Sequence, residues 1–87
     1  MQRRKYIVQD KMGLHARSVS LIARMALSYQ EAEITISCRD KTVPATHLMA
    51  VMAMLIRHGD TIFITVNGGD EAEIADTMIN LLRSKGV

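Results

Sequence analysis

The chain has 87 residues, 48% hydrophobic and 23% charged, with a net charge of +2. That balance describes one ordinary globular domain over residues 1–87 and leaves no room for a second. The near-neutral charge argues against a dedicated nucleic-acid binder, which needs a strong basic patch.

The basic cluster Arg3-Arg4-Lys5 reads as the solvated start of a strand. Two tyrosines and one phenylalanine offer few stacking platforms for single-stranded nucleic acid. One cysteine, Cys38, excludes an internal disulfide and points to a reducing, cytoplasmic setting. No apolar run approaches the length of a membrane span, and no long apolar stretch follows the charged N-terminus as it does in a secretory signal. Membrane insertion is therefore not expected.

In chain order, Tyr6-Ile7-Val8 predicts a short strand over about residues 4–9. Asp10-Lys11-Met12-Gly13 is a connection, with Gly13 able to take an unusual backbone angle. Val19, Leu21, Ile22, Met25, Ala26 and Tyr29 form the apolar stripe of a helix from about Ala16 to Tyr29. Ile34, Ile36 and Cys38 alternate along a half-buried strand over residues 33–38, so Cys38 reads as a small core residue. Lys41-Thr42-Val43 completes a hairpin that Pro44 ends, since proline donates no ladder hydrogen bond.

A second helix follows over the apolar run Leu48 to Ile56, with Thr46 as a candidate N-cap and Gly59 as the stop. This run is apolar nearly all round. Either it fills the core, or part of Leu48, Met49 and Met52 stays exposed as a surface for partners. Ile62, Ile64 and Val66 mark a fourth strand over residues 61–67, and Gly68-Gly69 is a turn without the features of a nucleotide loop. Asp70 is a candidate N-cap for a last helix from about residue 71 to Lys85, followed by Gly86. The order β-α-β-β-α-β-α implies an α+β open-faced β-sandwich: a four-stranded, mostly antiparallel sheet with helices on one face.

The chemistry concentrates in Gly13-Leu14-His15-Ala16-Arg17-Ser18. His15 falls at the start of the first helix, where backbone N–H groups lack internal partners and the helix dipole favours an anion. Arg17 adds a guanidinium suited to two phosphate oxygens. A histidine there can attack phosphorus through a ring nitrogen, with Ala16, Arg17 and Ser18 holding the transferred group. The plainer alternative is that His15 caps the helix and Arg17 is a solvated surface residue. His47 and His58 show no ligand spacing, so no metal is expected, nor any cofactor.

Gly13-Leu14-His15-Ala16-Arg17, together with Lys41-Thr42-Val43 and Leu48-Met49-Ala50-Val51-Met52, resembles the histidine-containing phosphocarrier protein (HPr) family of the phosphoenolpyruvate:sugar phosphotransferase system. The similarity runs nearly end to end. It implies sheet order 1-4-2-3, with three helices on one face. It implies that His15 accepts a phosphoryl group on Nδ1 from Enzyme I and passes it to sugar-specific Enzyme IIA components. Arg17 would assist the phosphoryl group, and Leu14, Ser20, Leu21, Leu48, Met49 and Met52 would form the docking surface. Such a protein is a carrier and not an enzyme with its own turnover.

Two positions depart from the family pattern. The residue after the arginine is commonly proline and here is Ser18, expected to restore an N–H and loosen the local backbone. A serine that opens the second helix in many Gram-positive members, and is phosphorylated by a dedicated kinase, corresponds to His47. Thr46 stands one position away, so control by seryl phosphorylation is not expected here. The alternative function is a regulatory paralogue that binds partner proteins without efficient transfer.

Overall fold

A computed structural model describes residues 1–87. The elements are β1 (Gln2–Ile7), α1 (Ala16–Ser28), β2 (Glu33–Cys38), β3 (Lys41–Pro44), α2 (Leu48–Ala53), β4 (Thr61–Asn67) and α3 (Glu71–Ser84). The strands form one sheet in the order β1-β4-β2-β3, and every pairing is antiparallel. This is the α+β architecture expected from the alternation of the strands and the stripes of the helices.

Register follows from burial. Tyr6 pairs with Ile62, Ile34 with Val66, and Ile36 with Ile64, and all six side chains are buried on the face that carries the helices. A slip by one residue in any of these strands would turn its apolar set to water. From α1 come the buried Val19, Ile22, Ala23 and Ala26, and from α3 come Ile74, Ala75, Met78, Ile79 and Leu82. Full burial of a side chain such as Ile22 or Leu82 contributes about 2–3 kcal/mol. Cys38 is buried in this core, and burial pushes its thiol pKa up. On the opposite, open face the Arg3 guanidinium lies 3.9 Å from the centre of the Phe63 ring, a cation–π contact between the central strand β4 and its neighbour.

The sequence reading is corrected at several boundaries. Strand β1 begins at Gln2 and ends at Ile7, earlier at both ends than residues 4–9. Helix α2 is much shorter than the apolar run. It ends at Ala53, and Leu55 takes a left-handed conformation (φ +53°). The cause is tertiary: Met54 and Ile56 are both buried while Leu55 between them is 70% exposed. Continuing the helix would not bring both buried side chains to the core and return the chain to β4. Gly59 is not the helix stop. It sits at φ +86° in the turn from Arg57 to Asp60 and donates its N–H to the Val8 carbonyl (2.9 Å). The N-cap of α2 is His47 and not Thr46. At α3, Asp70 occupies the cap position without a side-chain bond, and Glu71 instead accepts the Gly68 N–H (2.7 Å).

Asp60 ties three segments together. Its Oδ2 accepts the backbone N–H of Arg57 (2.9 Å) and the guanidinium of Arg39 (2.9 Å), and Arg39 also donates to the Met54 carbonyl (2.6 Å). The Arg57 N–H first, and then Arg39, hold the Asp60 carboxyl below the ordinary aspartate range. A carboxyl lowered on folding adds stability that is complete above its unfolded pKa of about 4 and is lost as pH falls through the folded value. The thermal midpoint is therefore expected to fall as pH drops below about 4, and less steeply in Asp60→Asn, measured by circular dichroism across an acid series. Tyr6 offers a second test. Its hydroxyl is buried without a hydrogen-bond partner. Tyr6→Phe is expected to match or exceed wild-type stability, by up to about 1 kcal/mol in urea unfolding.

Candidate functional site

The site is built on the connection between β1 and α1. Two backbone anchors shape it. Asp10 donates its N–H to the Val87 carbonyl (2.9 Å), and Leu14 donates to the Ile56 carbonyl (3.0 Å). Gly13 between them sits at φ +71°, and a Cβ there would lie 2.4 Å from the Ile56 oxygen and 2.8 Å from the Arg57 Cα. Only glycine fits both the backbone angle and the close approach. The chain thus delivers His15 to the head of α1 from a fixed direction.

His15 is the N-cap residue, in an extended conformation (φ −129°, ψ 179°), and its carbonyl accepts the first helical bond from Val19 (2.9 Å). The N–H groups of Ala16, Arg17 and Ser18 head the helix, with no acidic side chain in the first turn. The His15 ring lies against the Ser18 N–H without closing a hydrogen bond to it. Its Nε2 stands 3.0 Å from Asp10 Oδ2. The other Asp10 oxygen, Oδ1, accepts the Met12 N–H (2.9 Å). The Met12 N–H first, and then His15, keep the Asp10 carboxyl below the usual aspartate range, so it is a carboxylate at neutral pH.

Around this pair is an open groove of about 740 Å³, lined in part by Arg17, Arg24 and Lys85. None of these three cations forms an ion pair within the protein. The groove therefore presents a partly buried imidazole, a row of helix-head N–H groups and three unpaired cations, an arrangement suited to a multiply charged oxyanion.

Ser18 behaves differently from the sequence expectation. It does not loosen the backbone; it locks it. The side chain is 3% exposed, its hydroxyl accepts the His15 N–H (3.0 Å), and it donates to the His15 carbonyl (3.1 Å). This is the N3 half of a capping box, built from serine.

The remaining sequence-predicted residues divide by position. Leu14, Ser20 and Leu21 are half-buried, and Leu21 lines the groove. Leu48 is 38% exposed, Met49 is 78% exposed and Met52 is half-buried. Helix α2, which carries these side chains, packs on α1. His47 is exposed and Thr46 half-buried at the start of α2. His58 lies at the other margin, its Nδ1 3.2 Å from the Gln9 carbonyl. No group of three or more histidine, cysteine or acidic side chains is placed to hold a metal. Asp10 is the residue that sequence reasoning passed over. It stands five positions before His15 in a connection without periodic pattern, and only the turn at Gly13 brings the two together.

Known proteins share this fold and this sequence pattern. Residues 2–84 match the model of the PTS-HPr family, described as the PTS HPr component phosphorylation site. The phosphocarrier protein HPr of Mycoplasma capricolum is 37% identical over 84 residues, covering 92% of this chain and 93% of its own. Among solved structures, HPr from Bacillus anthracis superposes with a TM-score of 0.82 at 32% identity, covering 91% of this chain and 93% of that one. HPr-C-His from Thermoanaerobacter tengcongensis superposes with a TM-score of 0.89 at 27% identity, covering 98% and 94%. The chain belongs to the HPr family, the histidine-containing phosphocarriers of the phosphotransferase system. No helix is long and apolar enough to cross a membrane.

The capping serine can be tested directly. Ser18→Ala strands the His15 N–H at a partly buried helix start, and is expected to cost about 1 kcal/mol in urea unfolding. Ser18→Pro removes the same hydroxyl and is expected to show no gain over wild type in the same measurement.

Proposed function

We propose that this chain is a single-domain, cytoplasmic phosphoryl carrier in which His15 accepts a phosphoryl group on Nδ1 from Enzyme I, itself charged by phosphoenolpyruvate, and donates it to Enzyme IIA components. The observation that carries this reading is the placement of His15 at the head of α1, beside open N–H groups and unpaired Arg17. The neutral imidazole attacks phosphorus in line, and the bond to the donor breaks with its electron pair remaining on the donor. The phosphoryl oxygens then meet the N–H groups of Ala16, Arg17 and Ser18 and the Arg17 guanidinium, which favour their charge. The chain is a stoichiometric relay: it is restored only when the next protein takes the group.

A relay must release each partner quickly, which suits a small interface. Leu14, Ser20, Leu21, Leu48, Met49 and Met52 would supply it, with exposed Met49 at its centre. Methionine adapts its shape, and so serves donor and acceptor in turn. The locked geometry of Ser18 supports transfer competence over the regulatory alternative, since the helix start is held and not frayed. At the start of α2, His47 offers no hydroxyl for seryl control.

The test is a transfer assay with purified Enzyme I and phosphoenolpyruvate, read by intact mass. One added phosphoryl group is expected, lost in acid as a phosphoramidate is, and absent in His15→Ala. Arg17→Ala is expected to slow the step by about tenfold to a hundredfold. A folded wild-type protein that gains no mass beside an active control carrier would overturn the proposal.

A further inference from the structure

Asp10 holds two hydrogen bonds with two different oxygens. Oδ1 takes the Met12 N–H at 2.9 Å and so fixes the loop; Oδ2 lies 3.0 Å from His15 Nε2. An ionised carboxylate can only accept, so a neutral His15 must carry its proton on Nε2 to make this bond. Its lone pair is then on Nδ1.

We infer that Asp10 is a positioning residue that commits the His15 ring to the Nε2–H tautomer and so presents Nδ1 as the nucleophile. The inference rests on the reading of His15 as the phosphoryl acceptor and deepens it. During transfer the Nδ1 lone pair forms the new N–P bond, and the donor's bond to phosphorus breaks with its electron pair remaining on the donor. No proton leaves the ring, because Nε2–H stays on Asp10. The product is a phosphoimidazolium whose positive charge is shared with the carboxylate. A cationic ring is a good leaving group, so the same contact keeps the phosphoryl group transferable to the next protein. When that protein takes the group, the N–P electron pair returns to Nδ1 and the starting tautomer is restored.

The separate tasks of the two oxygens make a discriminating experiment possible. In Asp10→Asn the remaining carbonyl oxygen keeps the Met12 N–H, while the amide NH2 faces Nε2 and donates to it. The ring proton must then move to Nδ1, which blocks the nucleophile. Asp10→Ala removes both bonds and imposes no tautomer. Nitrogen-15 NMR of the histidine-labelled free protein, above about pH 8 where an ordinary imidazole is neutral, reads the tautomer without any phosphoryl transfer. The expected result is Nε2–H in wild type, Nδ1–H in Asp10→Asn and a mixture in Asp10→Ala.

Initial rates of phosphorylation by Enzyme I should follow the same order. Wild type is fastest, Asp10→Ala intermediate, and Asp10→Asn slowest by about tenfold or more. A purely structural loop role gives the reverse order of the two variants, since alanine loses the Met12 bond and asparagine keeps it. Asp10→Asn that retains Nε2–H, or that transfers at the wild-type rate, overturns the role of Asp10 alone. Failure of wild type to accept any phosphoryl group overturns the carrier reading, and with it the part given to Asp10.

Discussion

The hydrogen bond from the Leu14 N–H to the Ile56 carbonyl fixes the approach of the chain to the candidate site. It joins the strand-to-helix connection before His15 to the segment that leaves α2, two parts of the chain far apart in sequence. Gly13 is required because the backbones approach so closely there that a Cβ would overlap the acceptor itself. Once Leu14 is docked, His15 has one place to go, and α1 must start where it does. The buried face of α1 then fixes the helix against the sheet through Val19, Ile22 and Ala26. The location of the imidazole thus follows from backbone packing, and its Nε2 lies 3.0 Å from one carboxylate oxygen of Asp10.

The parts of the fold that could be read from sequence are those whose signal is local and periodic. The alternation of Ile34, Ile36 and Cys38 and of Ile62, Ile64 and Val66 identified two strands at their observed positions, because a half-buried strand needs that pattern and little else accounts for it. The helix heads at residues 16 and 71 were legible for a similar reason. The extent of α2 was not. An unbroken apolar run states that residues want burial, but not in which conformation, and the αL turn at Leu55 is imposed by contacts with distant segments.

The candidate site shows the same division. His15 and Arg17 were legible because a helix head is a known place for anions. Ser18 was read by its lack of a proline ring, a property of one residue, when what mattered was a reciprocal pair of bonds with the residue three before it. Asp10 carried no sequence signal. Acidic residues in turns are common, and the contact with His15 exists only because the loop between them folds back. Residues that act by orienting another group are in general harder to find from sequence than the group they orient.

Cys38 has a consequence for anyone who wishes to watch this molecule at work. The one native thiol is sealed in the core beneath the sheet, and burial keeps it in its unreactive protonated form. A cysteine introduced at an exposed position on the open face of the sheet would therefore be singly addressable by dyes or spin labels, with the native residue left in place. The handle would sit on the side of the sheet away from the helices, clear of the groove that holds His15. Ångström-scale packing of an otherwise unremarkable side chain thus makes the wild-type background itself a clean platform for spectroscopy.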